Sequence, residues 1–254
     1  MSEAPSIGSK SYEINSFLVN PQKRLGLYAL LNVLQDAGWF HAIELGHGHD
    51  QTIERKTFWV LTRQHLVMRE WPQWGRRLDI KTWIRPVEGP IAMRDFEVIL
   101  DGKTIGECTT GWILLDADTR RPLKEGATAL GASVRRDGVL TLETPKILPV
   151  EASERLATFQ VRNSDIDMND HVNNTKYSQW ILDAMPIEWH RKYKLERYQI
   201  CFLNEAKLGD SVDVSIAVLE GDENSARSKV QYQGFRVADS KPIFTAILES
   251  RLRL

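Results

Sequence analysis

Asp167, Asn169 and His171 alternate as D-x-N-x-H just ahead of a run with helical periodicity. A carboxylate can orient a neighbour, an amide can donate or accept, and an imidazole titrates near neutral pH. If the segment is extended, all three side chains face one way. After Asn174, the apolar residues Tyr177, Trp180, Ile181 and Ala184 keep the spacing of one helix face. Asn173 or Asn174 can cap that helix, and Pro186 falls where it should stop. Free N–H groups and the positive dipole end at a helix start suit a reaction that develops negative charge. The same residue types also make an ordinary Asp/Asn-rich turn with a cap.

The elements that must position these residues read as a repeated unit. Tyr12 to Val19 is expected to be a strand, and residues 25–41, LGLYALLNVLQDAGWFH, a helix. That helix is apolar nearly all round, which implies burial on all faces. Strands are expected over 58–68, 79–85, 93–100 and 103–115, with a hairpin turn at Asp101-Gly102. Residues 123–156 carry Gly126, Gly131, Gly138, Pro145 and Pro149 and read as a surface linker. A second set follows: strand 158–162, helix 174–184, and strands 198–207, 211–219, 228–237 and 242–252. Gly75-x-x-x-Asp79 recurs as Gly209-x-x-x-Asp213, an offset of 134 (209 − 75). Lys103-Thr104-Ile105 pairs with Lys241-Pro242-Ile243 at 138 (243 − 105), so duplication of one α+β unit is expected. Asn20-Pro21-Gln22-Lys23-Arg24 precedes the first helix and lacks the acid-x-Asn-x-His pattern. One armed copy, in the second half, is the expectation.

The chain has 254 residues, a formal net charge of −1 and 42% hydrophobic residues. That is an ordinary globular composition with no global attraction to nucleic acid or anionic membrane. No run approaches the length and apolarity of a membrane span. The start is polar and without a signal core. Cys108 and Cys201 fit no metal spacing and suggest a reducing compartment.

Residues 167–182, DMNDHVNNTKYSQWIL, resemble the signature of the acyl-acyl carrier protein thioesterases. Residues 58–83, Met93-Arg94-Asp95-Phe96 and GWILLDADTRRP at 111–122 resemble further segments of that family, in its order. The resemblance runs over about residues 11 to 254. It implies a tandem (double) hotdog fold of the α+β class, two curved antiparallel sheets each around a long helix. The expected division is a domain over 1–125 that shapes the acyl pocket, a linker over 126–156 and a catalytic domain over 157–254. Residues around Leu27–Trp39 and Phe58–Leu66 would then influence chain length. Plant members carry a plastid transit peptide for which this chain has no room, so a bacterial-type cytoplasmic enzyme is expected.

By this resemblance, Asp167, Asn169, His171 and Glu205 take the family's catalytic positions. Glu205 is expected in a strand, brought by the sheet against the helix start. Many plant members have a cysteine directly after this glutamate, but here the position is Ala206. General-base hydrolysis is what remains: Glu205 activates water with help from His171. Asn169 would hold the carbonyl or the water, and Asp167 would orient Asn169 or His171. Backbone N–H groups near Asn173 and Asn174 would stabilise the oxyanion. No cofactor or metal is implied.

Other candidates read more plainly. Cys201 suits packing better than attack. His47-x-His49-Asp50 resembles a metal fragment but has no second cluster. Trp39, Trp59, Trp83, Trp112 and Trp180 suit a core or an acyl tunnel. Arg120-Arg121, Lys124 and Arg135-Arg136 are local basic runs that suit either solvated surface or an acidic carrier protein. The expected partner is acyl carrier protein bearing an acyl-phosphopantetheine arm, with no nucleic acid and no membrane, the chain being a monomer or homodimer. Competing readings are a coenzyme A thioesterase, a hotdog dehydratase and a non-catalytic acyl-binding protein. The last should lack the polar set that is present here.

Overall fold

The strand-forming runs pair antiparallel in two sets that share one strand order. The computed structural model describes residues 6–85, 90–123, 135, 142–221 and 225–253. The chain divides into two units, Met1–Thr144 and Pro145–Leu254. In the first, β1 (Ile7–Glu13), α1 (Leu27–Glu44) and α2 (His49–Glu54) come before the remaining strands. Those are β2 (Thr57–Met68), β3 (Arg77–Arg85), β4 (Ile91–Leu100) and β5 (Lys103–Asp116). They lie in the order β1-β3-β4-β5-β2, each neighbour antiparallel.

The second unit holds β6 (Glu154–Gln160), α3 (Asn174–Ala184), α4 (Ile187–Lys192) and β7 (Tyr193–Phe202). It continues with β8 (Ser211–Glu220), β9 (Arg227–Arg236) and β10 (Pro242–Leu252). Its order is β6-β8-β9-β10-β7, again antiparallel throughout. Strand for strand, this is the first unit's order repeated. Gly75 (φ +76) and Gly209 (φ +85) make the same left-handed turn before β3 and β8. Asp101 (φ 50) and Gly102 (φ 75) close the β4–β5 hairpin with the paired positive φ of a primed turn.

Three strand expectations shift. The first strand runs over Ile7–Glu13, not 12–19, because Asn15 Oδ1 takes the Phe17 N–H at 3.0 Å and turns the chain. The strand expected at 158–162 lies at Glu154–Gln160 and so begins inside the stretch read as linker. The strand expected at 198–207 is Tyr193–Phe202. It stops where Leu203 and Asn204 both turn their N–H groups to Ile243 O, at 2.8 and 3.2 Å. The short helices α2 and α4 have no counterpart in the sequence reading.

Helix α1 is not buried on all faces. Gly38 packs on Phe96 and His41 sits against Gly8 and Arg94, which directs Trp39, Phe40 and Ile43 to the outer side. These three are 36%, 45% and 48% exposed. A helix resting on one sheet buries one broad face, and apolar residues beyond that face stay open.

Most of the expected linker lies outside the described residues. Residues 145–150 lie in the second unit along β7, β10 and β9. Ile147 N–H donates to Cys201 Sγ at 3.2 Å, Thr245 Oγ1 to Ile147 O at 2.9 Å and Gln231 Nε2 to Leu148 O at 2.8 Å. Thr245 stands opposite Cys201, while Phe244 and Phe202 beside them point to Tyr177 of α3. Alternation therefore sets Cys201 on the sheet face away from the helix.

Candidate active site

Helix α3 begins and ends where its sequence signals lie. Asn173 is the cap: its Oδ1 accepts from Thr175 N–H at 3.0 Å. Tyr177, Trp180 and Ile181 bury its inner face, with Tyr177 ring centroids 5.1–5.6 Å from Trp180, Phe202 and Phe244. This packing fixes the helix start against the second unit's sheet.

The segment before the helix is not extended. Ile166 and Val172 form an antiparallel bridge, Asp167 N–H donates to His171 O at 2.8 Å, and Asp170 has φ 62. Asp167 Oδ1 accepts from Asn169 N–H at 2.8 Å and from His171 N–H at 3.5 Å. The carboxylate thus closes a tight loop through backbone groups, the local habit of Asp ahead of a helix. Asn169 sits at the exposed tip, and its side-chain amide has no hydrogen-bond partner among the described residues.

Glu205 lies past the end of β7, on the loop to β8, rather than in a strand. The loop still brings it to the helix start: Glu205 Oε1 is 3.7 Å from His171 Nε2, with the two side chains 38% and 34% exposed. That is ion-pair range, and both groups remain open to water and a ligand. The structure therefore brings His171 and Glu205 together, with Asp167 and Asn169 on the same loop as His171. The Asn173 N–H is engaged with Asp165 O at 2.8 Å, so it is not an oxyanion donor here. The Asn174 N–H, first of the helix, has no acceptor among the described residues and keeps that capacity.

The first unit builds the same loop with other chemistry. Asn20 Oδ1 accepts from Gln22 N–H at 3.0 Å and Arg24 N–H at 3.2 Å, Asn20 N–H donates to Arg24 O at 2.8 Å, and Lys23 has φ 58. The bridge Val19–Leu25 repeats Ile166–Val172. Arg69 and Glu70 turn their N–H groups to Ile105 O as Leu203 and Asn204 do to Ile243 O. Trp71 therefore stands in the place of Glu205, Arg24 in that of His171, and Gln22 in that of Asn169. An arginine holds its proton and an indole offers no base, so of these two loops it is the second whose residue types could pass a proton.

The Acyl-ACP thioesterase N-terminal domain family matches residues 6–125, and the Acyl-ACP thioesterase C-terminal domain family matches residues 149–244. The chain belongs to the acyl-ACP thioesterase family. It is 27% identical over 251 residues to the chloroplastic oleoyl-acyl carrier protein thioesterase 1 of Arabidopsis thaliana, covering 87% of this chain and 67% of that protein. A chloroplastic dodecanoyl-[acyl-carrier-protein] hydrolase of Cinnamomum camphora is 27% identical over 232 residues, covering 85% and 60%. The chain thus spans 60–67% of the length of these plant relatives. The crystal structure of an acyl-ACP thioesterase from Bacteroides thetaiotaomicron is 28% identical, with TM-score 0.85 over 99% of this chain and 100% of that one.

Within this family member, several side groups settle into plain places. Ala206, where many plant thioesterases have cysteine, is 0% exposed, so position 206 faces the core rather than a ligand. Cys201 is 2% exposed on the far sheet face. His47 and His49 diverge. Burial, then Arg55 and Arg94, hold the His47 imidazole below its ordinary pKa, and the His49 ring lies 6.0 Å from Trp39. The Arg120 guanidinium lies over Phe58 at 5.4 Å and Arg135 over Trp83 at 4.6 Å, so neither is a plain solvated charge. Lys124 and Arg136 fall outside the described residues.

Sequence reasoning took Tyr177 only as a helix-face residue and passed over Arg236. The Arg236 guanidinium donates to Glu205 O and pairs with Asp210 and Asp239, both at 3.2 Å. Burial pushes the pKa of the Tyr177 phenol up, with Glu205 and Asp167 adding to the rise. The spacing Asn20-x-x-x-Arg24 against Asp167-x-x-x-His171 was the available signal for the duplicated loop.

Proposed function

We propose that the chain hydrolyses the thioester of acyl-acyl carrier protein to a free fatty acid, ending fatty acid synthesis. The observation that carries this reading is the convergence of His171 and Glu205, 3.7 Å apart, at the start of α3 in one of two like-built units. Glu205 takes a proton from water, and the water oxygen bonds to the thioester carbonyl carbon. The carbonyl oxygen becomes an oxyanion facing the Asn174 N–H and the helix dipole. Asn169 holds the carbonyl or the water. The C–S bond then breaks, and the proton taken by Glu205 passes through His171 to the leaving phosphopantetheine thiolate. Asp167 serves by orienting Asn169 and His171 through their backbone N–H groups.

The matching strand orders support a tandem hotdog architecture, with the first unit shaping the acyl pocket and the second, to which β6 (Glu154–Gln160) belongs, catalytic. Acyl carrier protein is the proposed partner, since the named relatives act on its esters. No helix among the described residues is long and apolar enough to cross a membrane. The cytoplasm is the proposed compartment, in keeping with two free, buried cysteines.

Thiol release from acyl-acyl carrier proteins of graded chain length, beside matched coenzyme A esters, tests the reading. Release from the carrier-protein esters should fall by roughly 10²–10⁴ in Glu205→Gln, the range for loss of a general base. Unchanged turnover in that variant would refute Glu205 as the base. Release from coenzyme A esters alone would keep the chemistry and replace the partner.

A further inference from the structure

The two loops are tied to their neighbours in different ways. In the first unit, Arg24 of the pre-helix loop donates from Nη1 to Trp71 O at 2.7 Å, which joins that loop to the β2–β3 loop. In the second unit the place of Arg24 belongs to His171, whose ring faces the Glu205 carboxylate instead. The Glu205 carbonyl still has a guanidinium donor, but it comes from Arg236 at the end of β9. Arg236 is itself held by Asp210 and Asp239, and Lys207 N–H donates to the same Asp210 carboxylate at 2.9 Å.

The end of β4 that corresponds to the Arg236 end of β9 is Val98-Ile99-Leu100, all buried and apolar, and offers no such donor. A guanidinium at the strand end accompanies Glu205, and an apolar strand end accompanies Trp71.

We propose that Arg236 is a positioning residue that holds the Glu205 carboxylate at working distance from His171. This rests on the thioesterase reading above. Arg236 fixes the loop from the sheet, through the Glu205 carbonyl and the Asp210 carboxylate. A carboxylate on an exposed loop that is free to swing loses the near-attack geometry on which rate depends.

The test is a double-mutant cycle on thiol release from acyl-acyl carrier protein. Arg236→Gln should lower kcat by about 10- to 100-fold with KM changed by less than about twofold, the signature of misplacement and not of lost binding. Arg236→Lys should recover part of the loss. Placed on Glu205→Ala, Arg236→Gln should cost nothing more, because its effect runs through Glu205. An equal fall in both backgrounds would overturn the proposal and leave a general structural role. Amide exchange gives a readout independent of turnover. In Arg236→Gln the Lys207 N–H, which donates to the Asp210 carboxylate that Arg236 pairs with, should lose protection while the β7 and β10 ladders keep theirs. Unchanged Lys207 protection would overturn the hold of Arg236 on the loop. A Glu205→Ala protein with wild-type turnover would instead overturn the thioesterase assignment of Glu205, and this proposal with it.

Discussion

Asp167→Asn is expected to keep most of the activity, while Asp167→Ala is expected to lose it. The Asp167 carboxylate accepts from Asn169 N–H at 2.8 Å and, weakly, from His171 N–H at 3.5 Å. The first unit shows that an amide does this work, since Asn20 Oδ1 closes the same loop on Gln22 and Arg24 at 3.0 and 3.2 Å. The asparagine variant keeps the acceptor and loses only the charge. A charge-assisted hydrogen bond exceeds a neutral one by about 1 kcal/mol, which is roughly a fivefold effect at most on the fraction of loops correctly closed. The alanine variant leaves both N–H groups without their acceptor and frees the tip. Two such losses at about 1–1.5 kcal/mol each come to roughly 10²-fold in kcat/KM. The assay is kcat/KM for thiol release, with a denaturant melt to confirm that both variants are folded. If Asp167→Asn fell as far as Asp167→Ala, the carboxylate charge would take part in the chemistry and the loop-closing argument would fail.

Further outcomes follow from packing. Cys201→Ala should leave kcat unchanged, because its thiol lies on the sheet face away from α3, and should cost about 1–2 kcal/mol in a urea melt for the lost contact with Ile147 N–H. The same variant isolates Cys108, whose thiol burial pushes up to about 12 from 9.0. Iodoacetamide at pH 8 should leave folded Cys201→Ala unlabelled and label it fully in denaturant, since roughly one thiol in 10⁴ is ionised at that pH. Because the folded value is the raised one, the stability tied to Cys108 is full below pH 9 and is lost as pH climbs toward 12. Gly8→Ala should shift the urea midpoint down without changing m, by about 1–3 kcal/mol of overpacking. A Cβ there would stand 2.6 Å from the His41 ring, so an unchanged midpoint would mean that α1 moves freely on β1.

Local signals carried the elements whose ends are set by side chains. Helix α3 starts at Asn174 and ends at Ala184 as read, because Asn173 caps it and Pro186 follows it. The Asp101-Gly102 hairpin was legible because its paired positive φ demands those residue types. Strand β7 was misplaced because its end depends on Ile243 O, a partner some forty residues away that no local pattern reveals. For the same reason Glu205 was assigned to a strand although it stands on a loop. The D-x-N-x-H pattern suggested one extended face. The structure folds it into a closed hairpin, since Asp170 accepts a left-handed conformation and Asp167 reaches back to its own backbone. The chemistry-bearing residue types were visible in sequence. The residues that hold them were not, because Arg236 meets Glu205 only through the sheet.

The duplicated loop gives the proposed division between the units its physical reason, and shows why a single substitution would not arm the first. Placing histidine at Arg24 would supply an imidazole but would remove the guanidinium that holds Trp71 O at 2.7 Å. Placing glutamate at Trp71 would put a carboxylate where a side chain 7% exposed now sits, with an apolar strand end in the place of Arg236. A buried carboxylate without a charged partner protonates instead of acting as a base at neutral pH. The second unit meets both needs at once: His171 and Glu205 stand at the rim, about one-third exposed, while Arg236 grips the backbone behind them. On the proposed reading, chemistry at this fold position requires the reacting pair and its support together, and the two copies of one loop separate those requirements residue by residue.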